Sequence, residues 1–446
     1  MEVELSGSGY RVATWRLGPG ASYSTPPVRS LLSSPPPPAV PVPLHFGVDV
    51  MLREPTRWRD WRHVALVTND AARLAAAPHV RSRVALLQAG LPLVRLFGPE
   101  HGLGACAADG ASVADGADAL TGLPVVSLYG ERMRPSAAHL AGLDAVLFDI
   151  PDVGARFYTY AWTLWHLLHA CADAGVLLVV LDRPNPLGGV LASAEGPLLT
   201  PACRSFIGED DIPVRHALTL GELAQLWKRE HCGTARLEVV TCAGWQPSLA
   251  WPATALPWVP TSPAMPSFDS ATWYPGTCLF EGTNVSVARG TDAPFAMIGA
   301  PWIDSRRLAG SLDAPGIRCT PVTFIPREGP HNGARCAGVR LSLDDAARHP
   351  GDLARFVAEE VRPVSVGLQL LHAVSSAHPQ DFAWAPYPTA ANATGHDHFA
   401  RLIGRTDVAG HLPALSDTQR ASTVAGWTRA TGWAERTTPI LLYDRS

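Results

Sequence analysis

Lysine is almost missing from this chain of 446 residues: Lys228 is the one lysine among 36 Lys and Arg. A phosphate-cradling P-loop needs a Gly-Lys-Ser/Thr step, so that class of nucleotide binding is excluded. No GxGxxG fingerprint and no CxxC pair occurs either, which argues against the usual dinucleotide site, a zinc ribbon or a thioredoxin-like centre. The eight cysteines are scattered, and a chain of this length needs no disulfide staple, so they read as buried thiols. Charge is sparse at 17% of residues with a net of -4, the opposite of the basic stripe that nucleic acid demands. Long apolar runs are missing too. The most apolar stretch, YAWTLWHLLHACADAGVLLVVL, carries His166, His169, Asp173 and Gly175 and divides into a helix and a buried strand rather than a membrane span. No nucleic-acid or membrane partner is expected, and nothing in the pattern selects an oligomeric state. Residues 1–43, with their PPPPAVPVP run, read as a disordered, Pro-rich leader without the apolar core of a signal peptide. The expected location is therefore cytoplasmic, or periplasmic or secreted if the true start differs.

What is present is 47% hydrophobic residues, enough for two cores. Short β-rich runs alternate with helical stretches from residue 45 onward, the pattern of a parallel sheet covered by helices. Strands are expected at 64–68, 93–97, 125–128, 145–150, 176–182 and 236–242, and helices at 79–89, 135–141, 158–174 and 220–231. The last has Thr219 and Glu222 spaced as a capping box. After about residue 245 the chain turns to Trp- and Pro-rich loops. Alternation then returns in IRCTPVTFIP and GVRLSL, followed by one helical segment over 351–372. The expected fold is α/β: a Rossmann-like parallel-sheet domain over 44–245 and a smaller α+β domain over 246–446, with a cleft between them.

Ligands of open α/β sheets bind outside the carboxyl ends of the strands. There the sequence concentrates polar, Gly- and Pro-rich clusters: FGPEHG with Glu100 and His101, SLYGE with Glu131, FDIPDVGARFYTY, and LDRPNP. All would converge on one edge, as one cleft. A second cluster, YPGTCLFEGTNVSVARGT, packs Glu281, Asn284 and Arg289 among glycines and threonines and reads as a loop.

Together with VLDRPNP and GAPWID, these segments resemble the exo-β-N-acetylmuramidase (NamZ-type) family, formerly domain of unknown function 1343, from about Phe46 to Tyr443. Pro151 departs from the pattern, which has glutamine there. The resemblance implies a two-domain glycosidase without a cofactor or metal, releasing N-acetylmuramic acid (MurNAc) from the non-reducing ends of peptidoglycan fragments. Its substrates would be MurNAc-GlcNAc and muropeptides. Such cleavage needs an acid for the leaving oxygen and a second carboxylate for the oxocarbenium-like centre. Glu100 is the candidate acid, with His101 holding it by a hydrogen bond. Glu281, Asp152 and Asp149 are open alternatives for the partner, Asp149 reading rather as a turn cap and Glu281 equally as an ion pair with Arg289. A lactyl carboxylate and an acetamido group call for guanidinium forks and hydrogen-bonding groups, for which Arg156, Arg183, Arg289, Asn185, Asn284, Tyr158 and Tyr160 are candidates. Trp258, Trp273 and Trp302 are the candidate sugar platforms. His166 with His169, and His396 with His398, lack a third metal ligand at matched spacing. Rival readings are a non-catalytic saccharide-binding protein and a metal-dependent amidase or deacetylase.

Overall fold

The computed structural model describes residues 43–108, 110–344 and 349–445; the expected leader lies outside them apart from Pro43. Its larger sheet contains β1 (Val64–Thr68), β2 (Leu93–Gly98), β3 (Gly116–Ala117), β4 (Pro124–Ser127), β5 (Ala145–Asp149), β6 (Leu177–Leu181) and β7 (Leu237–Val240). Their spatial order is β3-β4-β2-β1-β5-β6-β7, and only the two-residue β3 runs antiparallel to its neighbour. The parallel strands alone, counted in chain order, read 3-2-1-4-5-6, the doubly wound arrangement whose switch point lies between β1 and β5. Every residue of β1 and of β5 is buried, as expected for central strands covered on both faces.

The two faces feed two cores by simple alternation. Ala65 and Val67 of β1 point into the larger core, which runs on through the second half of the chain as far as Ile440. Val64 and Leu66 point into a smaller one with Phe46, Val48 and Leu86. One sheet face is thus shared by both halves, and this sharing positions the site.

The smaller sheet is antiparallel, with β8 (Met297–Ala300), β9 (Ile317–Phe324) and β10 (Cys336–Leu343) in the order β8-β10-β9. Pro321 lies on β9, an edge strand, where a missing N–H costs least. The single helix expected over 351–372 is two, Pro350–Glu359 and Pro363–Ala377. Pro363 is the reason: it disfavours a helical residue before it and suits the first position of a new helix. Both helix ends at this break are satisfied by buried charged residues of the first half. Arg215 donates to the carbonyls of Val357, Ala358 and Val361 at 3.0, 3.2 and 2.6 Å. Glu195 accepts from the N–H groups of Val364 and Ser365 at 2.9 and 2.6 Å. Burial pushes the Arg215 guanidinium down to about 9 and the Glu195 carboxyl up. The capping box at Thr219 and Glu222 forms as its spacing implies.

Candidate active site

β2 ends at Gly98, and the chain reverses over Pro99–Gly102 through a Gly102 N–H to Pro99 carbonyl bond of 2.9 Å. His101 takes a left-handed conformation, φ 65°, rare for a residue with a side chain and common at functional turns. The turn buries Glu100 to 5% exposure. Its Oε1 accepts from the Gly110 N–H at 3.0 Å and its Oε2 from the Thr159 hydroxyl at 2.5 Å. Gly110 is itself at φ 66°, and a β-carbon there would lie 2.9 Å from Thr389. Glycine therefore lets this loop dock on the late loop, where the Ala390 N–H bonds the Gly110 carbonyl at 3.1 Å. His101 does not hold Glu100: its Nδ1 pairs with the Ala107 carbonyl at 2.8 Å, so Nδ1 carries a hydrogen and the ring is anchored to its own loop.

The facing carboxylate comes from the second half. The stretch read as a loop from residue 274 is helical at first: helix Phe268–Thr277 contains Pro275 and passes into a 3₁₀ turn, Cys278–Gly282. That turn buries Glu281, whose Oε1 accepts from Arg289 Nε at 2.5 Å and whose Oε2 accepts from the Cys278 thiol at 3.3 Å. Burial, reinforced by the Glu281 charge, pushes the Cys278 thiol well up, so it stays a donor. Arg289 lies 5.0 Å from the Phe295 ring centroid. Phe295 and Ala288 are both left-handed, at φ 62° and 60°.

Glu100, His101, Tyr158, Glu281 and Arg289 thereby line one pocket. Its remaining aromatic walls are Phe157, Phe206, Tyr274, Phe295 and Tyr387. His398, weighed in the sequence only as half of a metal pair, stacks on Tyr387 at 4.7 Å and 18° and lines this same pocket. Of the other pair, His166 faces Glu209 at 3.4 Å and His169 bonds its own helix at Trp165.

A second crevice opens at the switch point between β1 and β5. It holds Asp152 and Arg183 between walls of Pro78, Pro184, Trp251 and Trp258. The single cleft expected along the strand ends is therefore divided. The Tyr158 hydroxyl meets Thr261 Oγ1 at 2.6 Å and Tyr160 donates to the Thr261 carbonyl at 2.7 Å. Tyr160 is fully buried in this wall and presents nothing to the pocket. Asp152 Oδ2 accepts from the Gly154 N–H at 2.8 Å and lies 3.5 Å from His216 Nε2, while Oδ1 is buried without a partner. Gly154, at φ 80°, is required because a β-carbon would sit 2.4 Å from Asn185 Oδ1. Arg183 forks onto Asp149 at 2.7 and 3.1 Å, so Asp149 is half of a buried ion pair rather than a turn cap.

Four other expected ligand residues are spent on structure. Arg156 is fully buried and donates to the carbonyls of Pro197, Ile212 and Leu402, its guanidinium pushed down to about 9 by burial. Asn185 bridges the Leu218 carbonyl and the Leu187 N–H. Asn284 clamps Asp381 and Ala383. Trp302 packs on His378. Of the remaining tryptophans, Trp273 is wholly buried and Trp258 faces the second crevice. Residues not singled out in the sequence but present in the pocket include Thr159, Ser262, Tyr274, Cys278, Tyr387 and Thr389. Among the described residues, Asp210, Glu230 and His231 gather carboxylate and imidazole atoms in metal-like proximity. Arg436 pairs with both of those acids, which makes the group an ion-pair network.

The family models for the N-terminal and C-terminal parts of exo-β-N-acetylmuramidase NamZ match residues 64–269 and 272–443. The chain is 38% identical over 341 residues to the peptidoglycan β-N-acetylmuramidase NamZ of Bacillus subtilis strain 168, covering 75% of this chain and 78% of that one. Among solved structures it is similar to a DUF1343 family protein of Bacteroides fragilis, with a TM-score of 0.75 at 26% identity over 90% of this chain and 99% of that one. A second protein of that family from the same bacterium shares the fold, with a TM-score of 0.68 at 24% identity over 91% and 100% of the two chains. The chain belongs to the exo-β-N-acetylmuramidase NamZ family.

Proposed function

We propose that the protein is an exo-acting glycosidase that releases MurNAc from the non-reducing ends of peptidoglycan fragments by cutting the β-1,4 bond of MurNAc-GlcNAc and related muropeptides. The observation that carries this reading is the meeting of Glu100 and Glu281, from opposite halves of the chain, in the lining of one pocket. Glu281 is an anion held by Arg289 and by the Cys278 thiol. It is suited to stabilise or attack the positively charged anomeric centre. Glu100 is the proton donor to the leaving oxygen. It is buried in the wall opposite Glu281. Arg289 gives the pocket its positive group for the lactyl carboxylate, and the aromatic walls offer faces for the ring and its methyl groups. The two halves, 44–245 and 246–446, act as opposite walls, and no step calls on a metal or cofactor. Among the described residues no helix is long and apolar enough to cross a membrane.

Incubation with MurNAc-GlcNAc beside GlcNAc-MurNAc tests the reading. Free MurNAc and GlcNAc should form from the first disaccharide alone. Hydrolysis of the second, or of neither, would overturn it.

A further inference from the structure

Thr159 occupies the N-cap of helix Tyr160–Ala174, yet its side chain makes no capping bond. Its backbone is already helical, at φ -65° and ψ -12°, whereas a capping side chain acts from an extended backbone, so the hydroxyl has no capping role here. Here the hydroxyl is turned away from the helix and reaches Glu100 Oε2 at 2.5 Å. The hydroxyl is spent on a contact across 59 positions of sequence, between the start of this helix and the turn after β2. On the other oxygen, the Gly110 N–H at 3.0 Å can only donate, so Oε1 is held as an acceptor. A hydroxyl both donates and accepts, so Oε2 can be satisfied by Thr159 with or without a proton.

We propose that Thr159 is a positioning residue of the glycosidase reaction: with the Gly110 N–H fixing Oε1, its hydroxyl fixes Oε2 as the oxygen that carries the proton to the leaving sugar. The proposal rests on the reading of Glu100 as the acid. The step balances simply: Glu100 Oε2–H gives its proton to the glycosidic oxygen as the C–O bond breaks, and Thr159 then donates its own hydrogen to the carboxylate left behind. This stabilises the ionised product form of Glu100 just as it appears.

The groups around Glu100 decide how the pH readout is assigned. His101 shares its turn, and Tyr158 and Tyr160 follow on the helix that Thr159 opens. Glu281, Arg289, Cys278 and Tyr274 face it from the second half, with Tyr387 and His398 from the late loops. Replacing Thr159 by valine changes none of them and removes only the hydroxyl. Because no capping bond exists to be lost, any fall in stability should be no larger than the loss of one hydrogen bond to a charged group.

The experiment is the pH dependence of kcat/KM on MurNAc-GlcNAc for the wild type, T159V, T159S and E100Q, with T159A as a variant that cannot overpack the site. Losing a donor to the charged form raises the proton affinity of Glu100. In T159V and T159A the basic limb should therefore move up by about one pH unit, the scale of one hydrogen bond to a charged group. T159S should keep the wild-type limb. E100Q should lose about 10³-fold or more on this substrate at every pH. Superposition of the T159V and T159A limbs on the wild type, with E100Q showing that loss, overturns the role of Thr159 alone. Wild-type turnover by E100Q would instead overturn the reading of Glu100.

Discussion

The protein has two crevices on one sheet edge, and they differ in how their charges are spent. At the switch point, where doubly wound sheets usually bind ligands, Arg183 is paired bidentately with buried Asp149 and proline and tryptophan form the walls. One strand over, beyond β2, Glu100 and the Glu281–Arg289 pair face a pocket closed by loops from both halves. Buried charges in the first crevice hold the fold; those in the second are carried by turns and left-handed residues that aim them at a shared space. The difference teaches that the customary ligand position of a fold is a prior, to be weighed against where turns from both halves bring carboxylates together.

The largest test of this contrast is E100Q, which should lower kcat on MurNAc-GlcNAc by about 10³-fold or more while leaving the thermal midpoint near that of the wild type. E281Q follows, with a loss of about 10²- to 10³-fold measured on the same substrate. In the other crevice the expectation inverts. R183M strands the Asp149 charge in the core, so it should lower stability by about 3 kcal/mol in denaturant titration, with kcat per folded molecule little changed. Asp182 at the end of β6 offers a pH test of the same side of the molecule. Burial raises its carboxyl from 3.8 to about 6. The folded state therefore binds its proton more tightly than the unfolded one. The resulting stability is complete below about pH 4 and is lost as pH rises through about 6, on the order of 2 to 3 kcal/mol. Urea titrations of the wild type and D182N over pH 4–7 measure it, and the variant should lack this component. The smallest effect belongs to D152N: within about fivefold of wild-type kcat/KM, since Asp152 faces the crevice without Glu100.

Much of this was legible in the chain. Buried strands announced themselves as β-branched apolar runs, and six of the expected strands lie within two residues of their observed ends. Glu100 after β2 stood out through the family resemblance rather than through its local residues, which suit a turn cap as well as an acid. Strand order was not legible, because pairing is set by long-range packing that no local pattern encodes. Nor was the fate of Arg156. An arginine beside aromatic residues reads as a ligand fork, and only the folded chain brings the carbonyls of Pro197, Ile212 and Leu402 around it. Thr159 was hidden for the reverse reason, since it falls inside the helix expected over 158–174, where a threonine calls for no further explanation. Tyr387 and His398 reach the pocket from a loop more than 200 residues beyond Glu100, a separation across which sequence spacing carries no signal.

Leaving-group dependence tests the central claim most directly, because an acid matters only when the departing oxygen needs a proton. E100Q should lose about 10³-fold in kcat/KM on MurNAc-GlcNAc yet stay within about tenfold of the wild type on the 2,4-dinitrophenyl glycoside of MurNAc, whose leaving group departs unprotonated. Equal losses on both substrates, or no loss on the disaccharide, would contradict the assignment of Glu100 as the proton donor in the pocket it shares with Glu281.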